Sequence, residues 1–251
     1  MLNRIAHDHL VEIQLARPPV NALNRELLVT LQQAMADAIA QGARGIVLSG
    51  NTGMFSAGVD VPSLMGRGRD EVRSFWREFF VTCGALARSP IPVVAAITGH
   101  SPAGGAVLSL FCDYRVMAEG PYKIGLNEVQ VGLVVPECIQ LALRRVVGAY
   151  RAERLLVSGT MIESKDALAC GLVDETTAVD QVVTRSLCWL RDLTALPAHA
   201  MLPTRALARA DLAAAYADID ALPLDTFVDG FFRPETQAVL QALVARLGAK
   251  K

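Results

Sequence analysis

Pro92-Val-Val-Ala-Ala-Ile-Thr-Gly-His-Ser-Pro-Ala-Gly-Gly-Ala-Val-Leu-Ser-Leu-Phe-Cys-Asp-Tyr-Arg-Val-Met-Ala118 holds the densest structural signal in the chain. Residues 89–112 around its first half carry no formal charge, a length that could imitate a membrane span. Pro90, Pro92, Gly99, Pro102, Gly104 and Gly105 break that run, however, and Thr98, His100 and Ser101 make its middle polar. The reading is therefore a buried strand over 92–98, a turn, a small-residue helix over 102–111 and a further strand over 113–118.

The same alternation extends in both directions. Residues 9–16 alternate polar and apolar side chains, as a half-exposed strand does, until Arg17-Pro-Pro19 breaks them. Asn24 is a helix N-cap, Leu27, Leu28, Leu31, Met35 and Ile39 recur near helical spacing, and Gly42 is the stop. Residues 45–48 are a short buried strand, and 70–88 a helix. After Glu137 the patterns are mostly helical, over 138–147, 151–158, 164–170, 180–193 and two stretches beyond Leu202. The last helix, 234–247, gathers Val239, Leu240, Leu243, Val244 and Leu247 on one face, which packs on its own subunit or on a neighbour. Strands alternating with helices predict an α/β fold with a largely parallel sheet, followed by a helical back part.

Composition narrows the function classes. The chain has 251 residues, 52% hydrophobic and 20% charged, with 24 basic against 25 acidic side chains and a net charge of -1. That balance gives no reason to expect a nucleic-acid or membrane partner. Cys83, Cys112, Cys138, Cys170 and Cys188 are scattered, so no metal knuckle or redox pair is encoded locally, and buried thiols in a reducing, cytoplasmic setting are expected. The first ten residues include Arg4, Asp8 and two histidines and do not read as a secretory or transit segment.

Gly99-His-Ser-Pro-Ala-Gly-Gly105 approaches three glycine motifs. As a phosphate loop it lacks the lysine and hydroxyl residue that hold phosphate and magnesium, and it lacks the dinucleotide spacing altogether. As a nucleophile elbow it offers Ser101, with His199 downstream, but the residue after the serine must donate its N–H to the oxyanion, and that residue is Pro102. Ser101 reads better as a turn residue. Read as a backbone donor, the segment works: Gly104 and Gly105 open a helix whose first N–H groups are free and can approach an anion closely. Phe55-Ser-Ala-Gly-Val-Asp60 has the same character. Two such donors on one thioester oxygen make an oxyanion hole.

These two segments, with Cys112-Asp-Tyr-Arg115 and Gly125-Leu-Asn-Glu-Val-Gln-Val-Gly-Leu133, resemble the crotonase, or enoyl-CoA hydratase/isomerase, superfamily. Arg17-Pro-Pro-Val-Asn-Ala-Leu23 and Ala167-Leu-Ala-Cys-Gly-Leu-Val-Asp174 add weaker support. The resemblance implies a ββα spiral core over 1–195 and a C-terminal helical trimerisation region over 196–251. It implies an acyl-CoA thioester as substrate, no separate cofactor or metal, and a homotrimer or dimer of trimers. It puts the oxyanion donors on Val59 and Gly104. Ala57, Gly58, Val59, Asp60 and Val61 match the loop that lines the coenzyme A, although Asp60 reads at least as well as a helix N-cap.

The hydratases of this family use two glutamates to hold a water. Here the first of those positions is Val107 and the second is Glu128. Valine can move no proton, so the pair is broken, whereas one carboxylate suffices to take a proton from C2 of a 3-enoyl thioester and return it at C4. Ile124, Leu126, Val129 and Val131 are expected to desolvate Glu128 and raise its pKa. The Leu-Asn-Glu-x-Gln-x-Gly pattern resembles the Δ3,Δ2-enoyl-CoA isomerases, in which the asparagine matching Asn127 contacts substrate. The expected activity is that isomerisation, as in β-oxidation of unsaturated chains. Enoyl-CoA hydration or another crotonase-type reaction is the alternative, with a serine hydrolase at Ser101 or a non-catalytic acyl-CoA-binding module further off. Phe75, Trp76, Phe79 and Phe80 are either the acyl-pocket wall or core, and Arg144 and Arg145 are expected on a solvated helix face, with pairing to acidic groups as the alternative.

Overall fold

In the computed structural model, which describes residues 1–248, the chain opens with a hairpin. Strand β1 (Leu2–His7) pairs antiparallel with β2 (Leu10–Leu15), and Asp8 turns between them at φ +57°. The alternation read over 9–16 is β2; β1 escaped it because its middle residues are exposed on both faces. Helix α1 (Arg25–Ala40) follows, capped by the Asn24 side chain, which accepts from the Leu27 amide. Then come β3 (Gly45–Ser49), β4 (Gly53–Met54), the short α2 (Val61–Leu64) and the long α3 (Arg69–Ala87).

The quoted central stretch forms β5 (Val93–Ile97), β6 (Gly99–Pro102), α4 (Gly104–Leu110) and β7 (Tyr114–Ala118). The helix expected over 102–111 therefore starts two residues later, because 99–102 is drawn out as a strand. Next are β8 (Lys123–Gly125), a 3-10 turn at Glu128–Val131, α5 (Glu137–Val147), α6 (Ala149–Ser158), β9 (Ile162–Glu163), α7 (Ser164–Ala169), β10 (Glu175–Thr177) and α8 (Val182–Thr194). Helices α9 (Ala198–Ala208), α10 (Ala210–Ala214), α11 (Leu224–Phe231) and α12 (Pro234–Gly248) complete the described chain.

The main sheet runs β1-β2-β3-β5-β7-β10, parallel from β2 onward. Strands β3 and β5 are buried at every residue, as expected of parallel strands covered on both faces. Strand periodicity divides their side chains. Val47, Val94, Ala96, Val116 and Ala118 face Val182, Leu187 and Leu190 of α8, while Ile46, Leu48, Val93, Ala95, Ile97 and Met117 join the main core with α1 and α3. A second small sheet, β4-β6-β8-β9, stands beside it. Its strands are too short for alternation to mark them in the sequence.

The C-terminal helices share the main core: Leu212, Tyr216, Leu224, Phe227, Phe231 and Leu240 are buried in it. On α12, Leu240 is fully buried in its own subunit, while Val239 and Leu247 remain exposed. Phe75, Trp76, Phe79 and Phe80 are core aromatics in edge-to-face contact, with Trp76 and Phe227 centroids 4.3 Å apart. Arg144 and Arg145 lie on the solvent side of α5, as expected, and both are also paired with acidic groups. Arg144 pairs with Glu137, and Arg145 grips both oxygens of Asp211 at 2.8 and 2.9 Å, because α10 brings that carboxylate against the end of α5.

Candidate active site

Three segments converge at the start of α4. The first is residues 55–60, held by the stretch Arg17-Pro-Pro-Val-Asn-Ala-Leu23. Ala57 donates its amide to Val20 O (2.9 Å), Leu23 to Gly58 O (2.7 Å), and Asp60 to Leu23 O (2.9 Å). Buried Asn21, at φ +51°, donates Nδ2 to Phe55 O (3.0 Å) and accepts the Arg17 amide on Oδ1 (2.9 Å). Ser56 Oγ donates to Asn21 O at 2.8 Å and accepts the Gly58 amide at 3.1 Å. With its neighbours tied on both sides, the Val59 amide is left without a protein acceptor among the described residues.

The second segment is the turn into α4. Ala103 donates its amide to Gly125 O (2.8 Å) and takes φ +47°, ψ -120°, a strained conformation for a residue with a side chain. That kink turns the chain from β6 into the helix and leaves the Gly104 amide at the first helical position, where no intrahelical acceptor exists. The two segments touch at their glycines. A Cβ on Gly58, which sits at φ +79°, would lie 3.1 Å from Gly104 N and 2.9 Å from Pro102 O. A Cβ on Gly104 would lie 3.0 Å from Leu23 Cδ1, 3.2 Å from Phe79 Cε2 and 3.5 Å from Gly58 Cα. Neither position has room for a side chain, which is the physical reason for glycine at each.

The third segment leaves β8. Strands β6 and β8 pair Ser101 with Ile124 and Pro102 with Gly125, so the chain entering the Gly104 turn and the chain entering the Glu128 turn start side by side. Glu128 opens the 3-10 turn, which Gly132 ends at φ +77° and which Leu133 closes by donating to Glu128 O at 3.0 Å. The Glu128 Oε2 atom is buried with no hydrogen-bond partner, as is Asn127 Oδ1. Loss of water, opposed only by a backbone hydrogen bond, pushes the Glu128 carboxyl from 4.5 up to about 7. Ile124 and Leu126 are buried as expected, whereas Val129 is 40% exposed, with one methyl against Gly159 at the α6 terminus. Val107 is buried one turn into α4.

Of the other positions singled out in the sequence, Ala57, Val59, Asp60 and Val61 are half-buried and Gly58 is buried. Asp60 caps α2, accepting the Ser63 amide at 3.3 Å, and pairs with Arg17 at 2.6 Å. Its carboxylate is thus engaged in bracing the loop. Ser101 lies within β6 rather than at a strand-to-helix elbow, is fully buried, and its Oγ has no partner; His199 is exposed at the start of α9. Among the described residues, Ser101 has no histidine partner. The bracing role of Asn21, Ser56 and Arg17 has no mark in the sequence beyond the strand break at Arg17-Pro-Pro19. Among the described residues no group of three or more His, Cys, Asp or Glu side chains is arranged to hold a metal.

Parallel strands with crossover helices, a small second sheet and a set of C-terminal helices packed on the same core define an α/β enzyme fold of the crotonase class. The chain belongs to the enoyl-CoA hydratase/isomerase family, whose model matches residues 6–230. It is similar to the human mitochondrial enoyl-CoA delta isomerase 1, at 33% identity over 240 residues, which are 93% of this chain and 78% of that one. Its fold superposes on the crystal structure of human mitochondrial delta3-delta2-enoyl-CoA isomerase with a TM-score of 0.94 at 30% identity, covering 100% and 99% of the two chains. It is also similar to an enoyl-CoA hydratase from Mycobacterium ulcerans, with a TM-score of 0.83 at 27% identity over 90% and 98%. The protein is therefore a crotonase-family enzyme, and its site residues bear on which reaction of the family it performs.

Proposed function

We propose that this enzyme converts 3-enoyl-CoA to trans-2-enoyl-CoA. The observation that carries the reading is the lone Glu128 carboxyl, with one oxygen buried and without a partner and its pKa raised to about 7 by loss of water, while the apolar Val107 takes the position that the family resemblance gives to a second acid. A carboxyl near neutrality is populated in both forms, so it can take a proton from C2 as carboxylate and return it at C4 as acid. The negative charge that develops on the thioester oxygen in between is taken by the Val59 and Gly104 amides, which have no other acceptor. No cofactor is needed, because no electrons are transferred and the proton returns to the substrate.

In this reading Ala57, Gly58, Val59, Asp60 and Val61 line the coenzyme A moiety, Asp60 through its hold on the loop, and Asn127 meets the acyl portion. Residues 196–251 form the contact region of a homotrimer or dimer of trimers, which sedimentation would detect. All five cysteines are free, which fits a cytoplasmic site, although the human relative is named mitochondrial.

The hydratase reading makes a different prediction in the same cuvette. Isomerisation makes conjugated thioester absorbance grow from a 3-enoyl-CoA, while hydration makes it fall from a 2-enoyl-CoA. Growth without loss is expected. Glu128→Gln should lower turnover by at least about 10²-fold while coenzyme A still binds. A variant that kept its rate would remove Glu128 from the mechanism.

A further inference from the structure

The turn that carries Glu128 is gripped from two sides. On one, Gln130 Nε2 donates to Gly159 O at 2.9 Å, at the end of α6. On the other, Thr236 in the first turn of α12 donates its Oγ1 to Gly132 O at 3.0 Å. Thr236 is 2% exposed, and a Cβ on Gly132 would stand 2.8 Å from its hydroxyl, so the contact is closed without slack. Gly132 is the residue that ends the Glu128 turn, and the next amide, Leu133, donates back to Glu128 O. Helix α12 also contacts α2, which begins directly after the Val59 loop. A single helix from the far end of the chain thus bears on both the carboxyl side and the amide side of the site.

We infer that Thr236 is a positioning residue for Glu128: by fixing the Gly132 carbonyl, its hydroxyl keeps the 3-10 turn seated and the carboxyl both aimed and dry. The inference rests on Glu128 being the base. The Thr236 hydroxyl is buried although Gly132 itself is exposed, so removing it leaves the Gly132 carbonyl to water, which satisfies the oxygen without fixing its place. The charged side chains on the two helices packed against the turn are Arg151, Glu153 and Arg154 on α6 and Glu235 and Arg246 on α12. None of them shifts the Glu128 carboxyl, which responds to water and to a backbone amide alone. Loosening the turn therefore acts on it through hydration.

Thr236→Val keeps the shape and removes the hydrogen bond. Expected are a fall in kcat of about 3- to 10-fold, a KM within about twofold, and a lower midpoint for the acid limb of the kcat–pH profile as water reaches the carboxyl. Thr236→Ser should restore both rate and midpoint. A loss of thermal stability with kcat and midpoint unchanged would make Thr236 merely structural and overturn the inference. Should Thr236→Val not fold, Thr236→Ala and Thr236→Ser decide instead: the alanine must show the fall that the serine does not, and equal rates overturn the idea. Glu128→Gln run alongside separates the two levels. If it stays active, the functional reading fails; if it is dead while Thr236→Val behaves as wild type, only the positioning role fails.

Discussion

Burial raises the Glu128 carboxyl to about 7 from its ordinary 4.5, so ionising it in the folded chain works against the fold. In the unfolded chain the group ionises at its ordinary value. Its folded form is thus fully tolerated below about pH 4.5, and the stability it contributes there is lost progressively as pH rises through 7. The loss amounts to about 3 kcal/mol. Glu128→Gln carries no such liability. Urea unfolding at pH 8.5 should find the variant more stable than the wild type by up to that amount, and the advantage should shrink towards zero near pH 4.5. A constant difference across the range would mean that the carboxyl is not desolvated. The property that would suit the residue to the proposed role of base at neutral pH is also a cost to the fold, a common arrangement at active sites.

At the level of elements, legibility followed length and periodicity. Helices α1 and α3 present apolar side chains at helical spacing and were readable to within a residue or two of their ends. The strands of the small sheet, two to four residues each, were not, and neither was the exact start of α4. There the deciding fact is pairing between β6 and β8, which leaves no local mark. The site divides the same way. Gly58 and Gly104 stood out because close backbone approach favours glycine, and the structure shows no room for a side chain at either; Glu128 was reached through the family resemblance of its segment. The brace that fixes the 55–60 loop was not, since it consists of single hydrogen bonds across more than thirty positions of sequence. Asn21 tests that brace. Asn21→Ala removes the bonds to Phe55 O and to the Arg17 amide and puts a side chain poorly suited to φ +51° in a buried turn. A stability loss of about 2–3 kcal/mol is expected from these together. Turnover should fall more than that loss implies, because the Val59 amide loses its aim, and kcat measured well below the melting temperature separates the two effects.

Across the whole molecule, the C-terminal helices are tied to the core by charge as well as by apolar packing. Asp113, at the end of α4, is 9% exposed in its side chain and takes Arg205 of α9 on both oxygens, at 2.7 and 2.8 Å. Arg209 approaches the same carboxylate at 3.3 Å and donates to Phe111 O at 2.6 Å. Together with Arg115, Arg145 and Asp174 these side chains line a cleft of about 340 Å³ at the end of α4 away from Gly104, so this cavity belongs to the joint between core and C-terminal helices rather than to the active site. Two guanidinium groups, Arg209 buried and Arg205 largely so, depend on one carboxylate. Removing it in Asp113→Ala leaves both without a counter-charge, a loss of about 3–5 kcal/mol, which for a chain of this size lowers the melting temperature by on the order of 10 °C. Adding Arg205→Met to that variant should recover part of the loss, because an apolar side chain at α9 does not need the missing carboxylate. Unfolding should stay a single transition in both variants if the C-terminal helices and the sheet share one core, as the burial of Tyr216, Phe227 and Leu240 within it requires. A separate early transition in Asp113→Ala, with the sheet still folded, would show instead that the salt-bridged joint, and not the apolar core, holds the two parts together.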